Sequence, residues 1–333
     1  MLSPAGSAET VPASQRRTAF GQRRTRIRDH GIVLVVIALA AALSLSTDTF
    51  FTGANLANLL DQAAVPGLLA CGATLCLVAG VFDLSMSAVL ALSAVVCVAT
   101  TGALGVPAGV LAGLAAGVLI GALNGLIIAR VRVHSFIGTL ALSIVHRGLA
   151  LIATGGAIVY PLAGQSAAFR NLAGPLAPGN VTAAALVFLT VAAVCWLLLA
   201  GTVFGRRLYA VGGNAEAARL SGVRVGLVRT AVLALSGGCA ALAGIVMAAQ
   251  GGSAQAGMAP LLELTAIAAA VIGGTSVLGG DGAIWRALAG VAVLTLIGNG
   301  FNLLGWDTTY EQIVQGLLIL VAVSTDHALR RPI

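Results

Sequence analysis

Apolar runs of about twenty residues recur along the chain from Gly31 to its C-terminal end, and each is as long as a helix must be to cross roughly 30 Å of hydrocarbon. Short segments of alternating polarity, the signal of a membrane β-barrel, are not the pattern here. The expected fold class is therefore all-α, a polytopic transmembrane helical bundle of about ten spans. Composition agrees: with 59% hydrophobic and 9% charged residues, a soluble domain would lack the polar side chains to cover its surface.

Hydropathy places the spans near 31–48, 58–80, 86–104, 106–129, 135–154, 181–201, 227–250, 261–279, 284–304 and 312–328. An even count puts both ends on one side of the membrane. Under it, all 18 basic residues except Arg147 and Arg170 share that side: six between Arg16 and Arg28, then Arg130, Arg132, Arg206, Arg207, Arg219, Arg224, Arg229, Arg286, Arg330 and Arg331. Positive charge marks the cytoplasmic side, so both termini are expected there. Residues 1–28 then form a basic cytoplasmic tail ahead of an uncleaved first span, and 29–333 a single transmembrane domain. Trp306, Tyr310 and Tyr160 fall at the outer interface, and Trp285 and Tyr209 at the inner one.

Every basic residue is arginine. Without lysine there is no GxxxxGK[ST] phosphate loop and no Schiff-base lysine, so nucleotide hydrolysis must come from a partner. No cofactor, metal site or nucleic-acid partner is expected. Cys71, Cys76, Cys97, Cys195 and Cys239 lie in apolar runs with no histidine-bearing metal spacing and read as small buried hydrophobes. HExxH, GxSxG and clustered histidines are missing, which argues against an intramembrane enzyme and leaves no catalytic residues to assign.

Glycine recurs at every fourth position through Gly105, Gly109, Gly113, Gly117, Gly121 and Gly125, a stripe on which another helix can pack closely. Gly80–Ser87 and Gly273–Gly282 interrupt apolar runs with Gly, Ser, Thr and Asp, as broken helices do. The segment about 155–180, with Pro161, Pro175 and Pro178, reads as an outer loop.

Ionisable groups at membrane depth are costly and point to function or to a fixed partner. Asp83 can cap a helix start or line a polar path. Glu263, Asn124, Asn299 and Asn302 can hydrogen-bond the hydroxyls of a polar solute or join helices to one another. His146 and Arg147 form an intramembrane basic pair whose partner is a carboxylate such as Asp83 or backbone carbonyls. On the cytoplasmic side, the polar segment about 202–226 reads as a docking element: Asn214 can cap a short helix through Ala215–Leu220, Glu216 sits near its positive end, and Gly222 can stop it.

These residues fall into four blocks that resemble the ribose-type permease subunits of bacterial carbohydrate ABC importers. The first is Phe82-Asp83-Leu84-Ser85; the second joins Asn124-Gly125 to His134-Ser135-Phe136-Ile137-Gly138-Thr139-Leu140 and Arg147-Gly148. The third runs from Phe204-Gly205-Arg206-Arg207 to Gly212-Gly213-Asn214, Ala217-Ala218 and Ser221-Gly222. The fourth runs from Glu263-Leu264 to Gly273-Gly274-Thr275-Ser276 and Gly279-Gly280. Phe82 stands where the family usually has isoleucine.

The resemblance implies a multi-pass inner-membrane permease for a monosaccharide of ribose, xylose or galactose type. It would work with a cytoplasmic ABC ATPase that binds the ATP, a periplasmic sugar-binding protein, a second permease copy or related chain, and membrane lipid. The substrate path would include Asp83, Ser85, Asn124, Ser135, Phe136, Glu263, Thr275, Asn299 and Asn302. Coupling to the ATPase would use Gly205, Arg206, Gly212, Gly213, Asn214, Glu216, Ala217, Ala218, Ser221 and Gly222. A permease for nucleosides or branched-chain amino acids, and a proton-coupled secondary transporter titrating Asp83 or Glu263, are the competing readings.

Overall fold

The computed structural model describes residues 31–131, 133–176 and 181–330. The basic tail at 1–28, Arg132, Pro178 and Arg331 lie outside the described residues. The described chain is helical, with isolated β-bridges only, such as Val159 with Ala254. A helix satisfies its own backbone groups, which hydrocarbon cannot do for it.

Among the described residues, seven helices are long and apolar enough to cross a membrane. They are α2 (Gly53–Val78), α3 (Met86–Leu104), α4 (Val106–Val131), α5 (Ser135–Thr154), α7 (Ala183–Gly201), α10 (Val225–Gly251) and α12 (Ile284–Leu303). Two shorter apolar helices, α1 (Gly31–Ser46) and α11 (Leu262–Ile272), and the more polar α13 (Thr308–Arg330) occupy the other expected runs. The remaining helices are short: α6 (Ser166–Arg170), α8 (Val203–Gly213) and α9 (Ala215–Leu220).

Two boundaries differ from hydropathy. Thr52 caps α2, its Oγ1 accepting from Asn55 N–H, so the helix begins at Gly53 rather than near 58. The run at 261–279 is helical only to Ile272, because Gly273 and Gly274 (φ +89°) turn the chain away. The outer segment is not wholly a loop, since it carries α6, whose Phe169 is fully buried.

Burial identifies the centre. In the most apolar stretches of α2 and α10, 78% and 72% of residues are buried, against 17% in α5. The core therefore runs between α2, α3 and α10, and α5 turns Ile137, Ile144, Val145 and Ile152 outward.

The glycine stripe explains how α4 joins this core. A Cβ at Gly109 would lie 2.6 Å from Cys97 O on α3, and one at Gly121 would lie 2.2 Å from Leu233 O on α10. Gly113, Gly117 and Gly125 are equally tight, so α4 lies backbone-to-backbone in the groove between α3 and α10. Gly105 is not part of that contact: at φ +90° it ends α3. All five cysteines are buried free thiols.

Candidate functional site

Both expected helix breaks are present, one between α2 and α3 and the other between α11 and α12. At the first, Gly80 (φ +69°) turns the chain out of α2 and residues 81–85 run without helical hydrogen bonding. The freed amides are taken up by α5: Phe82 N–H donates to Ser135 Oγ (3.0 Å) and Leu84 N–H to Thr139 Oγ1 (3.0 Å). Leaving them bare at this depth would cost several kcal/mol each, on the order given for lipid.

Asp83, 4% exposed, is the centre of a polar knot. Its Oδ1 accepts from Ser85 N–H (3.0 Å) and Ser85 Oγ (2.6 Å), and its Oδ2 accepts from Ser236 Oγ of α10 (2.6 Å). Asn124 of α4 donates through Nδ2 to Ser85 Oγ (3.0 Å), and His146 Nε2 of α5 lies 2.9 Å from Asn124 Oδ1. With the asparagine nitrogen committed as a donor, its oxygen accepts, and the network assigns the imidazole proton to Nε2. Four elements are tied together here, and Asp83 braces the start of α3.

Arg147 donates to the carbonyls of Ala256 (2.9 Å) and Met258 (3.5 Å) and to Ser87 Oγ (3.3 Å). Of the partners weighed from sequence, it takes backbone carbonyls. His146 takes an amide, which the sequence reading did not name. Phe136, largely exposed, stacks edge-on against Phe82 with ring centroids 6.0 Å apart.

The structure thus gathers Asp83, Ser85, Asn124, Ser135 and Phe136 around one break. Among the described residues, no hydrogen bond joins Glu263, Thr275, Asn299 or Asn302 to that knot. Asn299 forms a reciprocal pair with Asn55: its Nδ2 donates to Asn55 Oδ1 (2.8 Å), and Asn55 Nδ2 donates to Asn299 Oδ1 (3.2 Å), which fastens α12 to α2. Asn302 is exposed. Glu263 is buried in the first turn of α11, and Thr275 is buried at the second break; Glu263 Oε2 and Thr275 Oγ1 have no hydrogen-bond partner among the described residues.

Hydrogen bonding alone misses what holds α8. Gly212 lies against the end of α2 and the second break so closely that a Cβ there would sit 1.8 Å from Val78 O and 2.6 Å from Gly280 N. Gly279 (φ +92°) packs on both Gly212 and Gly80, and Gly280 N–H donates to Val78 O (3.0 Å). Four glycines thus let three chain segments meet through their backbones. Tyr209 Oη adds a bond to Gly282 O (2.7 Å), and Arg286 pairs with Asp281 (2.9 Å) within the same turn.

The rest of that block has the caps expected of it. Thr202 Oγ1 caps α8 by accepting from Gly205 N–H (3.1 Å), and Gly205 packs on Leu199 O. Asn214 Oδ1 caps α9 by accepting from Ala217 N–H (2.9 Å). Gly222 (φ +84°) ends α9, with Val223 N–H reaching back to Ala218 O (3.0 Å). Ala218 is buried, whereas Arg206, Gly213, Glu216, Ala217 and Ser221 are exposed. Glu216 lies beside Arg219 (Nε to Oε2, 3.0 Å), whose hydrogen bonds and charge hold its carboxyl below the usual range.

A cavity of about 490 Å³ lies between α2, α10, α11, α12 and α13. Its polar lining includes Asp61, Gln62, Gln250, Thr265, Thr295, Glu311 and Gln315, none of which was singled out from sequence. A signal existed: Asp61 falls inside the second apolar run, and Glu311 and Gln315 are one helical turn apart.

A family model described as branched-chain amino acid transport system / permease component matches residues 55–323. Ribose import permease protein RbsC of Bacillus subtilis (strain 168) is 38% identical over 319 residues, covering 96% of this chain and 98% of that relative. Its counterpart of the same name in Escherichia coli (strain K12) is 38% identical over 296 residues, 89% of this chain and 91% of the relative. The L-arabinose transport system permease protein AraH of the same strain is 37% identical over 303 residues, 89% and 90%.

Proposed function

The chain belongs to the permease-component family whose model it matches, and from that premise we propose that it is the membrane-spanning subunit of an ABC importer for a monosaccharide of ribose, xylose or galactose type. The family model's description mentions branched-chain amino acids, but the relatives that cover most of this chain are named for ribose and arabinose, which supports a sugar.

The observation that carries the proposal is the seat of α8. A coupling element must transmit force from outside the bundle to its interior, and Gly212 abuts the end of α2 and the second break through backbone alone. A displacement of α8 cannot be absorbed by side-chain rotation there. The exposed surface of α8 and α9, with Arg206, Asn214, Glu216 and Ala217, is where a cytoplasmic ABC ATPase would grip. Hydrolysis of ATP belongs to that partner.

In this reading residues 29–333 form one inner-membrane domain of about ten crossings, with both termini cytoplasmic and 1–28 as a basic tail. The seven long apolar helices, and the further helices in the other expected runs, support that count. A periplasmic binding protein delivers sugar to the opposite face, and a second permease copy or related chain completes the path. The Asp83 knot braces that path, and Phe136 on the exposed face of α5 reaches its wall.

The test is uptake of labelled sugars by proteoliposomes that hold this chain with its cognate ATPase and binding protein. ATP-dependent uptake that disappears when Gly213–Ala218 is replaced by a Gly-Ser linker, with insertion intact, supports the proposal. Uptake driven by a proton gradient in the absence of the ATPase would refute it.

A further inference from the structure

The 490 Å³ cavity falls within the roughly 300–1,000 Å³ of small-molecule sites. Its walls come from Asp61–Pro66 just before the middle of α2, the end of α10, Leu262–Ala269 of α11, the middle of α12 and the start of α13. On α2, α10 and α13 these positions lie toward one half of the bundle, and on α12 they reach its middle. Val78, on which α8 is seated, is 17 residues further along α2 from Asp61, about 25 Å at a helical rise of 1.5 Å per residue. The cavity therefore lies in the half of the bundle away from α8.

Its polar groups are held in place. Asp61 Oδ1 accepts from Thr182 Oγ1 (2.7 Å), and Oδ2 accepts from Gln250 Nε2 (3.1 Å). Glu311 Oε1 accepts from Gln315 Nε2 (2.8 Å). Gly298 of α12 makes room for the Glu311 carboxylate, since a Cβ there would be 2.7 Å from Oε1. Each carboxylate oxygen can accept a second hydrogen bond, and the amides and the hydroxyls of Thr265 and Thr295 both donate and accept. The lining holds no Arg or His, and the chain has no lysine.

From this arrangement we propose that the cavity is the first intramembrane binding site of the transported solute, and that it accepts uncharged polyols while rejecting anionic ones such as sugar phosphates and sugar acids. The proposal rests on the importer reading and deepens it. Vicinal hydroxyls donate to Asp61 and Glu311, where charge-assisted bonds are the stronger kind, and accept from the flanking amides. A phosphate would bring negative charge beside two carboxylates with no cation to offset it. The apolar remainder of the wall, including Val65, Met247 and Leu294, offers the sugar no further hydrogen bonds and lets it leave.

Two measurements on the full chain test this. In the reconstituted importer, D-ribose and L-arabinose uptake is compared between wild type, Asp61→Asn and Glu311→Gln. Each variant is expected to lose about tenfold in maximal rate, as for one weakened charge-assisted bond, while ATP hydrolysis stimulated by loaded binding protein persists. Separately, the permease alone carrying Thr265→Cys is labelled with an impermeant maleimide; the native thiols are all buried, so the new one reports. Ribose should slow the labelling, and ribose 5-phosphate at equal concentration should not. Unchanged uptake in both variants, equal protection by the phosphate, or lost uptake without sugar protection would each overturn the proposal. Wild-type liposomes that take up neither sugar would sink the importer reading itself, and the labelling, which needs no partner, still decides the cavity.

Discussion

Replacing Gly212 by alanine tests the seat of α8 directly. The new Cβ would lie 1.8 Å from Val78 O and 2.6 Å from Gly280 N, both backbone atoms that no rotamer change can move. Ordinary carbon–oxygen contacts begin at about 3.3 Å, so α8 must lift by roughly 1.5 Å or the turn at 279–282 must open. Overpacking of this kind costs about 1–3 kcal/mol when a core absorbs it. Gly201 at the end of α7, outside the coupling residues, supplies the control, because a Cβ there meets nothing within 4 Å. Gly212→Ala should therefore lower the unfolding temperature in detergent and reduce sugar uptake per ATP hydrolysed in the reconstituted importer, while Gly201→Ala leaves both near wild type. If the two alanines behave alike in both assays, the contact does not transmit anything and the reasoning fails.

Other perturbations have comparably definite outcomes. Asp83→Asn replaces an acceptor of three hydrogen bonds and should cost about 1–3 kcal/mol of stability; unchanged thermal unfolding would show that the knot is not bracing α3. Gly121→Ala drives a methyl to 2.2 Å from Leu233 O and should destabilise strongly, whereas Gly148→Ala, with open space around it, should be neutral or better, as calorimetry or scanning fluorimetry would show. Asn55→Leu alone strands the Asn299 amide and Asn299→Leu alone strands Asn55 Oδ1, although Asn55 Nδ2 keeps Phe50 O, while the double change removes both amides. The double variant should therefore unfold at a higher temperature than either single one, with a coupling of about 0.6–1.7 kcal/mol.

Much of this fold can be read along the chain, because its strongest signals are local. Helix positions follow from apolar runs, both breaks from Gly, Asp, Ser and Thr placed inside those runs, and the packing of α4 from a four-residue glycine period. The caps of α9 are equally local, since Asn214 and Ala217 are neighbours in sequence. What escaped are meetings between distant segments. Ser236 reaches Asp83 across 153 positions, and nothing around either residue encodes the other. Gly212 looks like any loop glycine until Val78 and Gly280 arrive beside it.

The cavity escaped for a related reason. Asp61 lies more than two turns into α2, while Gln250 and Glu311 sit near the ends of their helices, and none of them singly announces the other two. Only their convergence distinguishes them. Hydropathy misjudged α11 because averaging over a window weighs transfer energy and ignores backbone conformation. The run to Gly279 is apolar enough, but Gly273-Gly274 ends the helix all the same.

The glycine stripe on α4 also divides the molecule mechanically. Contacts in which one backbone lies directly on another have no side chains to re-pack, so α3, α4 and α10 cannot slide past each other by degrees. They act as a stator. Relative motion is left to the pieces outside that contact, and the second break with α11 and α12, which are themselves fastened backbone-on-backbone at Gly273 and Gly290, is the piece that α8 touches. A transport cycle in this protein would therefore move α11 and α12 as a unit against α3, α4 and α10 rather than flex the whole.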